Sequence, residues 1–102
     1  MDRDVNIDPS RGLFGISTAA ELVGLPQQSL RLYESRGLLE PARTEGGTRR
    51  YSSDDLNRLQ RIGELLAAGL NIAGVAMVLD LEARNASLRT LIDNESHKRQ
   101  DS

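Results

Sequence analysis

The chain has 102 residues, a net charge of −2 and no cysteine, and aromatic residues make up only 3% of it. This length allows one domain with an aliphatic core. The lack of cysteine excludes disulfides, thiolate metal sites and cysteine nucleophiles, and one histidine, His97, cannot hold a metal alone. No long apolar run or signal peptide is present, so we expect a cytoplasmic protein without a membrane partner.

The charge is distributed unevenly along the chain. Between Leu13 and Ile62 there are seven arginines against six acidic residues. Arg43, Arg49 and Arg50 fall within eight residues of one another. Such a local basic cluster can bind phosphate although the whole chain is slightly acidic.

The first predicted elements are a tail and a short helix. Residues 1–12 are polar and aperiodic, which predicts a flexible N-terminal tail. Ser17 or Thr18 is the expected cap of the first helix, because Thr18 and Glu21 fit a capping box. Gly24 is the expected end of that helix.

A second short helix is predicted from Pro26 to Arg36, because proline suits the start of a helix and Gly37 suits its end. Only Gly24-Leu25 separates it from the first helix. Two short helices joined in this way are typical of a helix-turn-helix.

A small β-hairpin is predicted next, between Ala42 and Tyr51. Two short polar segments flank Gly46-Gly47, and paired glycines supply the positive φ that a tight hairpin needs. We interpret this hairpin as a wing.

Two longer helices follow in the pattern. Ser52 or Ser53 is the expected cap of a third helix that ends at Gly69, and Asn71 is the expected cap of a fourth. Their apolar residues recur at helical spacing: Leu56, Leu59, Ile62 and Leu66 in the third, and Ile72, Val75, Val78 and Leu79 in the fourth.

The C-terminal part is predicted to be a short helix over residues 81–95, with a flexible polar tail over residues 96–102. The expected dimer contacts are apolar residues of the last two helical segments, namely Met77, Val78, Leu81, Leu88, Leu91 and Ile92. The predicted fold is therefore mostly α with a small hairpin wing: a winged helix-turn-helix over residues 13–80, followed by a short dimerisation helix.

The second helix has two unlike faces. A rotation of 100° per residue places Ser29, Leu30 and Tyr33 on one side and Gln27, Gln28, Arg31 and Ser35 on the other. Amides can pair with adenine edges and a guanidinium with guanine or phosphate, so this face is a candidate for DNA contact. A plain solvated face is the alternative.

The wing carries the other candidate DNA contacts. Arginines on a narrow hairpin can follow a phosphate backbone or enter a minor groove, which makes Arg43, Arg49 and Arg50 candidates. Pairing of Arg43 or Arg50 with a nearby acid is the alternative. Tyr51 can be either a contact or a core residue.

Several motifs span the chain from Ile16 to about Leu79 without a gap: Ile16, Ala20, Gly24-Leu25, Ser29–Glu34, Gly37–Leu39, Pro41, Arg43, Gly47–Tyr51 and Gly69–Ile72. This pattern resembles the mercury-resistance regulator (MerR) family of transcription regulators. The resemblance is strongest to its heat-shock repressor (HspR) branch, through Gly46–Ser52 and Asn71–Gly74.

The resemblance implies a recognition helix in the major groove and a wing on the flanking backbone. It also implies a homodimer, paired through an antiparallel coiled coil of C-terminal helices, that binds inverted repeats and acts as a repressor in the bacterial nucleoid. The positions that match family DNA contacts are Arg31, Tyr33, Arg43, Arg49 and Tyr51. By analogy with the branch, a chaperone is the expected co-repressor.

The chain departs from the family pattern in three respects, the first of which is a short segment after Leu79. Leu32 stands where many members have tyrosine, which removes one phosphate contact. With no cysteine and no large C-terminal domain, sensing through the family's usual metal or drug sites is not expected, so we expect no cofactor and no metal.

Two other functions stay open. The protein could bind direct repeats side by side without a stable dimer, like excisionases, and the short C-terminal segment favours this. It could instead be a protein-interaction module that docks through its apolar 72–81 segment, which would suit the acidic net charge. An enzyme is not expected, because the only lysine, Lys98, lies near the C-terminus and Asp54 and Asp55 suit a helix start.

Overall fold

A computed structural model describes residues 8–101, with the backbone alone given for residues 96–101. In this part of the chain there are helices α1 (Ile16–Val23), α2 (Gln27–Ser35), α3 (Ser53–Ala67) and α4 (Ile72–Asp101), and strands β1 (Ala42–Arg43) and β2 (Arg49–Arg50). The predicted fold class, mostly helical with a small hairpin, is confirmed. The chain divides after Ala68 into two compact units, which are described separately.

Helix α1 begins earlier than predicted. Its N-cap is Gly15, which has extended φ and ψ and no capping side chain, so Ser17 and Thr18 lie inside the helix and the predicted capping box is wrong. The first backbone hydrogen bond of the helix runs from the Ala19 N–H to the Gly15 carbonyl, at 2.9 Å. Gly24 ends the helix with a φ of 71°, as predicted.

Helix α2 lies within one residue of its prediction, with Pro26 at the N-cap and Arg36 at the C-cap. Helix α1 packs against α2 and α3. The connection between α1 and α2 is fixed by a 3.0 Å hydrogen bond from the Leu25 N–H to the Ala20 carbonyl. Ala20 and Leu30 are both buried, so the two helices form the predicted helix-turn-helix around small and aliphatic side chains.

The wing is an antiparallel hairpin in which Ala42 pairs with Arg50 and Arg43 with Arg49. Its turn is closed by a 2.9 Å hydrogen bond from the Gly47 N–H to the Thr44 carbonyl. Gly47 has a φ of 86°, while Gly46 is not among the positive-φ glycines, so one of the two predicted glycines meets the stereochemical need.

Residues 8–12 differ from the predicted flexible tail, of which residues 1–7 lie outside the described part. The Pro9 carbonyl accepts a 3.0 Å hydrogen bond from the Asp54 N–H at the start of α3. Gly12 lies so close to the wing that a Cβ there would meet the Arg50 carbonyl oxygen at 2.8 Å. Phe14 then pairs with Tyr51 in an antiparallel bridge, so this segment is part of the folded unit.

Helix α3 carries much of the core of the first unit. Ser52 caps it in a capping box with Asp55, whose N–H donates to Ser52 Oγ at 3.0 Å. The largest fully buried side chains in this unit are Leu30, Leu38, Tyr51, Leu59 and Ile62. The expected aliphatic core is therefore present, but a tyrosine lies inside it.

Helix α4 is continuous, whereas the sequence predicted a fourth helix, a separate short helix over residues 81–95 and a flexible tail. Asn71 caps it as predicted, since its Oδ1 accepts a 2.8 Å hydrogen bond from the Gly74 N–H. After Gly74 the segment has no glycine or proline to end the helix, so the backbone stays helical to Asp101. No helix within residues 8–101 is long and apolar enough to cross a membrane.

Candidate nucleic-acid interface

The polar face of α2 is exposed, as the sequence predicted. Gln27, Gln28 and Arg31 are all exposed on this helix. A 3.4 Å hydrogen bond from Arg31 Nη2 to Gln27 Oε1 shows that the two side chains lie side by side, one helical turn apart. A contact this long is weak, so both groups can turn towards a ligand. The geometry that DNA contact needs is present, and the contact itself stays a prediction.

The two tyrosines of the predicted site are core residues. The Tyr33 side chain is 6% exposed and Tyr51 is 0% exposed. Of the two interpretations left open for Tyr51, its burial favours the core residue, and a DNA contact by either tyrosine stays a prediction. The cause of this burial is the position of Tyr51 between the wing and α3, where the Phe14 bridge holds its backbone.

The Tyr51 hydroxyl is buried and has no hydrogen-bond partner among the described residues. Burial raises the pKa of Tyr51, because the phenolate would lose its hydration, and the positive charge of Arg49 only partly opposes this rise. The group is therefore a neutral phenol that bears an uncompensated desolvation cost.

Two wing arginines converge on one carboxylate of α2. Arg43 Nη2 donates to Glu34 Oε2 at 2.6 Å, and Arg49 Nε donates to Glu34 Oε1. Arg43 Nη1 also donates to the Gly47 carbonyl at 3.0 Å. We call Glu34, Arg43 and Arg49 the α2–wing cluster. It fixes the hairpin against the helix that carries the polar face.

Glu34 is the charged centre of the α2–wing cluster and its side chain is only 19% exposed. Burial raises the pKa of Glu34, but hydrogen bonds and positive charge from Arg49 and Arg43 outweigh that effect and leave the pKa below its ordinary value. The same hydrogen bond raises the pKa of Arg49 against a smaller desolvation effect. Glu34 and Arg49 are therefore both charged at neutral pH.

The third wing arginine, Arg50, differs from the other two. It is exposed, and its guanidinium makes no hydrogen bond or ion pair with any residue in the described part of the chain. The three predicted wing contacts thus differ in which nitrogens are available. All side-chain donors of Arg50 are available, and so are the terminal nitrogens of Arg49. Both terminal nitrogens of Arg43 are engaged.

Sequence reasoning missed two positioning residues. Glu34 was not considered as a partner of the arginines, because it lies nine residues from Arg43 and fifteen from Arg49. Arg58 on α3 donates from Nε to the Leu38 carbonyl and so holds the segment after α2. Both contacts join separate elements, so no periodicity within one element reveals them.

The predicted dimer contacts lie on α4, in the second unit. Most are more than half exposed, and Val78 is half-buried: Met77, Val78, Leu81, Leu88, Leu91 and Ile92. Val78, Leu81, Asn85, Leu88 and Ile92 follow heptad spacing and form what we call the α4 stripe. It is an exposed apolar seam interrupted by one asparagine.

No metal site accompanies these features in the part of the chain that the structure describes. No three His, Cys, Asp or Glu residues among them are grouped closely enough to hold an ion.

A helix-turn-helix with exposed amides and a guanidinium on its second helix, next to an arginine-bearing hairpin, defines a winged helix-turn-helix DNA-binding domain. The profile described as "MerR HTH family regulatory protein" matches residues 14–82. The chain belongs to this family of transcription regulators, as its motifs indicated.

Individual relatives agree with this assignment. The chain is 41% identical over 78 residues to the putative heat shock protein HspR of Streptomyces coelicolor, a match that covers 76% of this chain and 52% of that protein. The matched segment spans about half the length of the first curated relatives.

Solved structures with the same fold include PbrR691 from Ralstonia metallidurans CH34 in complex with lead(II). It is 29% identical with a TM-score of 0.67, and the match covers 86% of this chain and 73% of that one. HiNmlR, described as a MerR family regulator lacking the sensor domain and bound to promoter DNA, is 26% identical with a TM-score of 0.60, covering 86% and 74%.

Proposed function

We propose that this protein is a transcription repressor that binds an inverted repeat in double-stranded DNA as a homodimer. The observation that carries the proposal is the exposed face of α2, where Gln27, Gln28 and Arg31 stand one turn apart or less. Glutamine amides can pair with adenine and an arginine guanidinium with guanine in the major groove. The free N–H groups after Pro26 favour a phosphate at the start of the same helix.

The wing supplies the contacts that do not depend on sequence. Arg50 and the terminal nitrogens of Arg49 are available for phosphate oxygens beside the groove that α2 enters. The α2–wing cluster keeps these donors at a constant position relative to the reading face, which lowers the entropy lost on binding.

The α4 stripe is the proposed dimer contact. Helix α4 has 30 residues and is therefore about 45 Å long, which is enough for a two-heptad seam. An exposed leucine seam gains free energy when a second helix covers it. In one register of an antiparallel pair, Leu81 of one copy would face Ile92 of the other and Asn85 would face Leu88.

The relatives support the finer parts of the proposal. The relative from Streptomyces coelicolor is named a putative heat shock protein. This name suggests that the present protein controls stress genes, with a chaperone as co-repressor by analogy. The promoter DNA in the HiNmlR structure supports a double-stranded target. Such work takes place in the bacterial cytoplasm, at the nucleoid.

Selection of bound duplexes from a random pool at near-physiological salt tests the proposal. Enrichment of an inverted repeat with a fixed centre is the expected result, because two-fold protein symmetry requires it. Enrichment of a direct repeat or a single half-site would retain the DNA function and reject the dimer. No enrichment over bulk duplex would reject sequence-specific binding and leave the docking-module hypothesis. Repression is then tested with the selected repeat placed across a reporter promoter.

The side-by-side alternative was favoured by the short C-terminal segment. The continuous helix α4 and its exposed apolar stripe support the dimer instead.

A further inference from the structure

Leu32 is an exposed apolar side chain on the helix that carries the polar face. It is 44% exposed. The other exposed large apolar residues among described residues of the first unit are Leu13 and Leu22, and neither lies on α2. Leu32 is therefore the apolar point on the surface proposed to face DNA.

Leu32 lies at the edge of the polar face of α2, next to Gln28. It stands four residues after Gln28, one helical turn further along and about 40° around the axis, and it is about 100° from Arg31. Leu30 and Tyr33 are buried, whereas Leu32 is exposed. Gln28 and Leu32 are therefore neighbours on the exposed surface of this helix.

A polar residue of the same helix, Ser35, lies close to Leu32 along the chain. Ser35 Oγ donates to the Leu32 carbonyl at 2.7 Å, so the hydroxyl proton of Ser35 is engaged by the backbone. This leaves the Leu32 side chain as the apolar surface in the second turn of α2.

The major groove offers one apolar group on a base edge, the C5 methyl of thymine. We propose that Leu32 reads a thymine through this methyl group and adds sequence preference by apolar contact. The inference rests on the proposed DNA binding, because it concerns the same helix face and assigns a base to it.

Replacing single thymines with deoxyuridine in the selected duplex tests the inference, since this removes the methyl and leaves base pairing intact. We expect the DNA affinity of the wild-type protein to fall about fourfold when deoxyuridine replaces one particular thymine of a half-site. This is the effect of one buried methyl group. In Leu32→Ala the same replacement should have no effect. Leu22→Ala is the matched control, because it shortens an exposed leucine on α1, and it should retain the fourfold loss.

Each outcome separates the two claims. If deoxyuridine at the same thymine lowers the affinity of Leu32→Ala as much as that of wild type, Leu32 does not contact the methyl group. The proposal is also overturned if wild type binds its selected sequence but no deoxyuridine replacement lowers its affinity. If the wild-type protein enriches no sequence in the duplex selection, there is no selected duplex in which to place deoxyuridine. That result would reject the proposed function itself. Thermal unfolding of both leucine variants shows that they are folded.

Discussion

Arg43 of the wing donates from Nη2 to Glu34 of α2 at 2.6 Å, and its other terminal nitrogen donates to the Gly47 carbonyl. Both ends of this guanidinium are thus engaged by the protein. The guanidinium of Arg50, on the neighbouring strand, makes no such bond within the described residues. Two arginines of one hairpin are therefore expected to have different functions: Arg43 is held by the protein, and Arg50 is available for a contact with DNA.

Replacement of Arg50 and of Arg43 separates these functions. Arg50→Ala should weaken binding to all duplexes alike and flatten the slope of log affinity against log salt by about 0.9, the value for one lost phosphate contact. Arg43→Ala should leave that slope nearly unchanged and lower the thermal midpoint instead. Arg49→Ala should do both, since Nε holds Glu34 while its terminal nitrogens are available. Titrations over a salt series give the slopes, and equal slopes for Arg43→Ala and Arg50→Ala would contradict the assignment.

The low pKa of Glu34 predicts a dependence of stability on pH. Its folded-state pKa lies below the ordinary value near 4.3, so its stabilising effect is present above that value and is lost as pH falls through the folded pKa. Glu34→Gln should therefore lower the free energy of unfolding by about 1 kcal/mol at pH 7, a figure reduced for solvent screening.

Urea unfolding across a pH series measures this effect. The difference between wild type and Glu34→Gln should shrink as pH falls below about 4. Glu45→Gln, an exposed change in the wing turn, is the control and should show little difference at any pH. A constant Glu34→Gln difference down to pH 3 would mean that the charge of Glu34 is not its source.

The sequence was sufficient for features that depend on one element at a time. Helical spacing predicted which side of α2 is exposed, and Gly24 and Asn71 predicted an end and a start of helices correctly. It was insufficient where distant segments meet, as in the pairing of Glu34 with the wing. It also divided α4 between residues 80 and 81, although the sequence after Gly74 has no glycine or proline to end the helix.

Tyr51 shows the same limit in the site. The sequence left open whether Tyr51 is a DNA contact or a core residue, and its pairing with Phe14 accompanies a buried position in the core. A pattern within the wing does not decide between the two, because Phe14 belongs to a distant segment of the chain.

Tyr51→Phe tests the buried hydroxyl directly. The change keeps the ring and removes a polar group that has no partner among the described residues, so the free energy of unfolding should stay equal or rise by about 1 kcal/mol. DNA affinity should not change. Urea unfolding and a binding titration are the two measurements. A clear loss of affinity with full stability would favour the other interpretation, in which Tyr51 contacts DNA.

Arg31 is the residue of α2 best suited to read a guanine, because it is exposed and its one hydrogen bond, to Gln27, is long. Arg31→Ala should cost about 1–3 kcal/mol of binding free energy and relax the preference at one base pair per half-site. Arg89→Ala is the control, since Arg89 is an exposed arginine on α4, outside the helix proposed to read bases and off the α4 stripe. Binding to a set of single-base operator variants gives the result. A uniform loss over all variants would instead make Arg31 a backbone contact.

The α4 stripe predicts that one charge on it prevents dimerisation. Leu88 is 56% exposed in the single chain, so Leu88→Asp leaves the fold of that chain largely unaffected. In a paired seam, however, the new carboxylate would be buried against apolar side chains, and a buried unpaired charge is costly enough to separate the copies. Ala86→Asp adds the same charge about 160° around the helix and should leave the dimer intact. Sedimentation equilibrium measures both masses. A dimer that survives Leu88→Asp but not Ala86→Asp would move the contact to the other face of α4, and a wild-type monomer at all concentrations would reject the dimer and the inverted repeat with it.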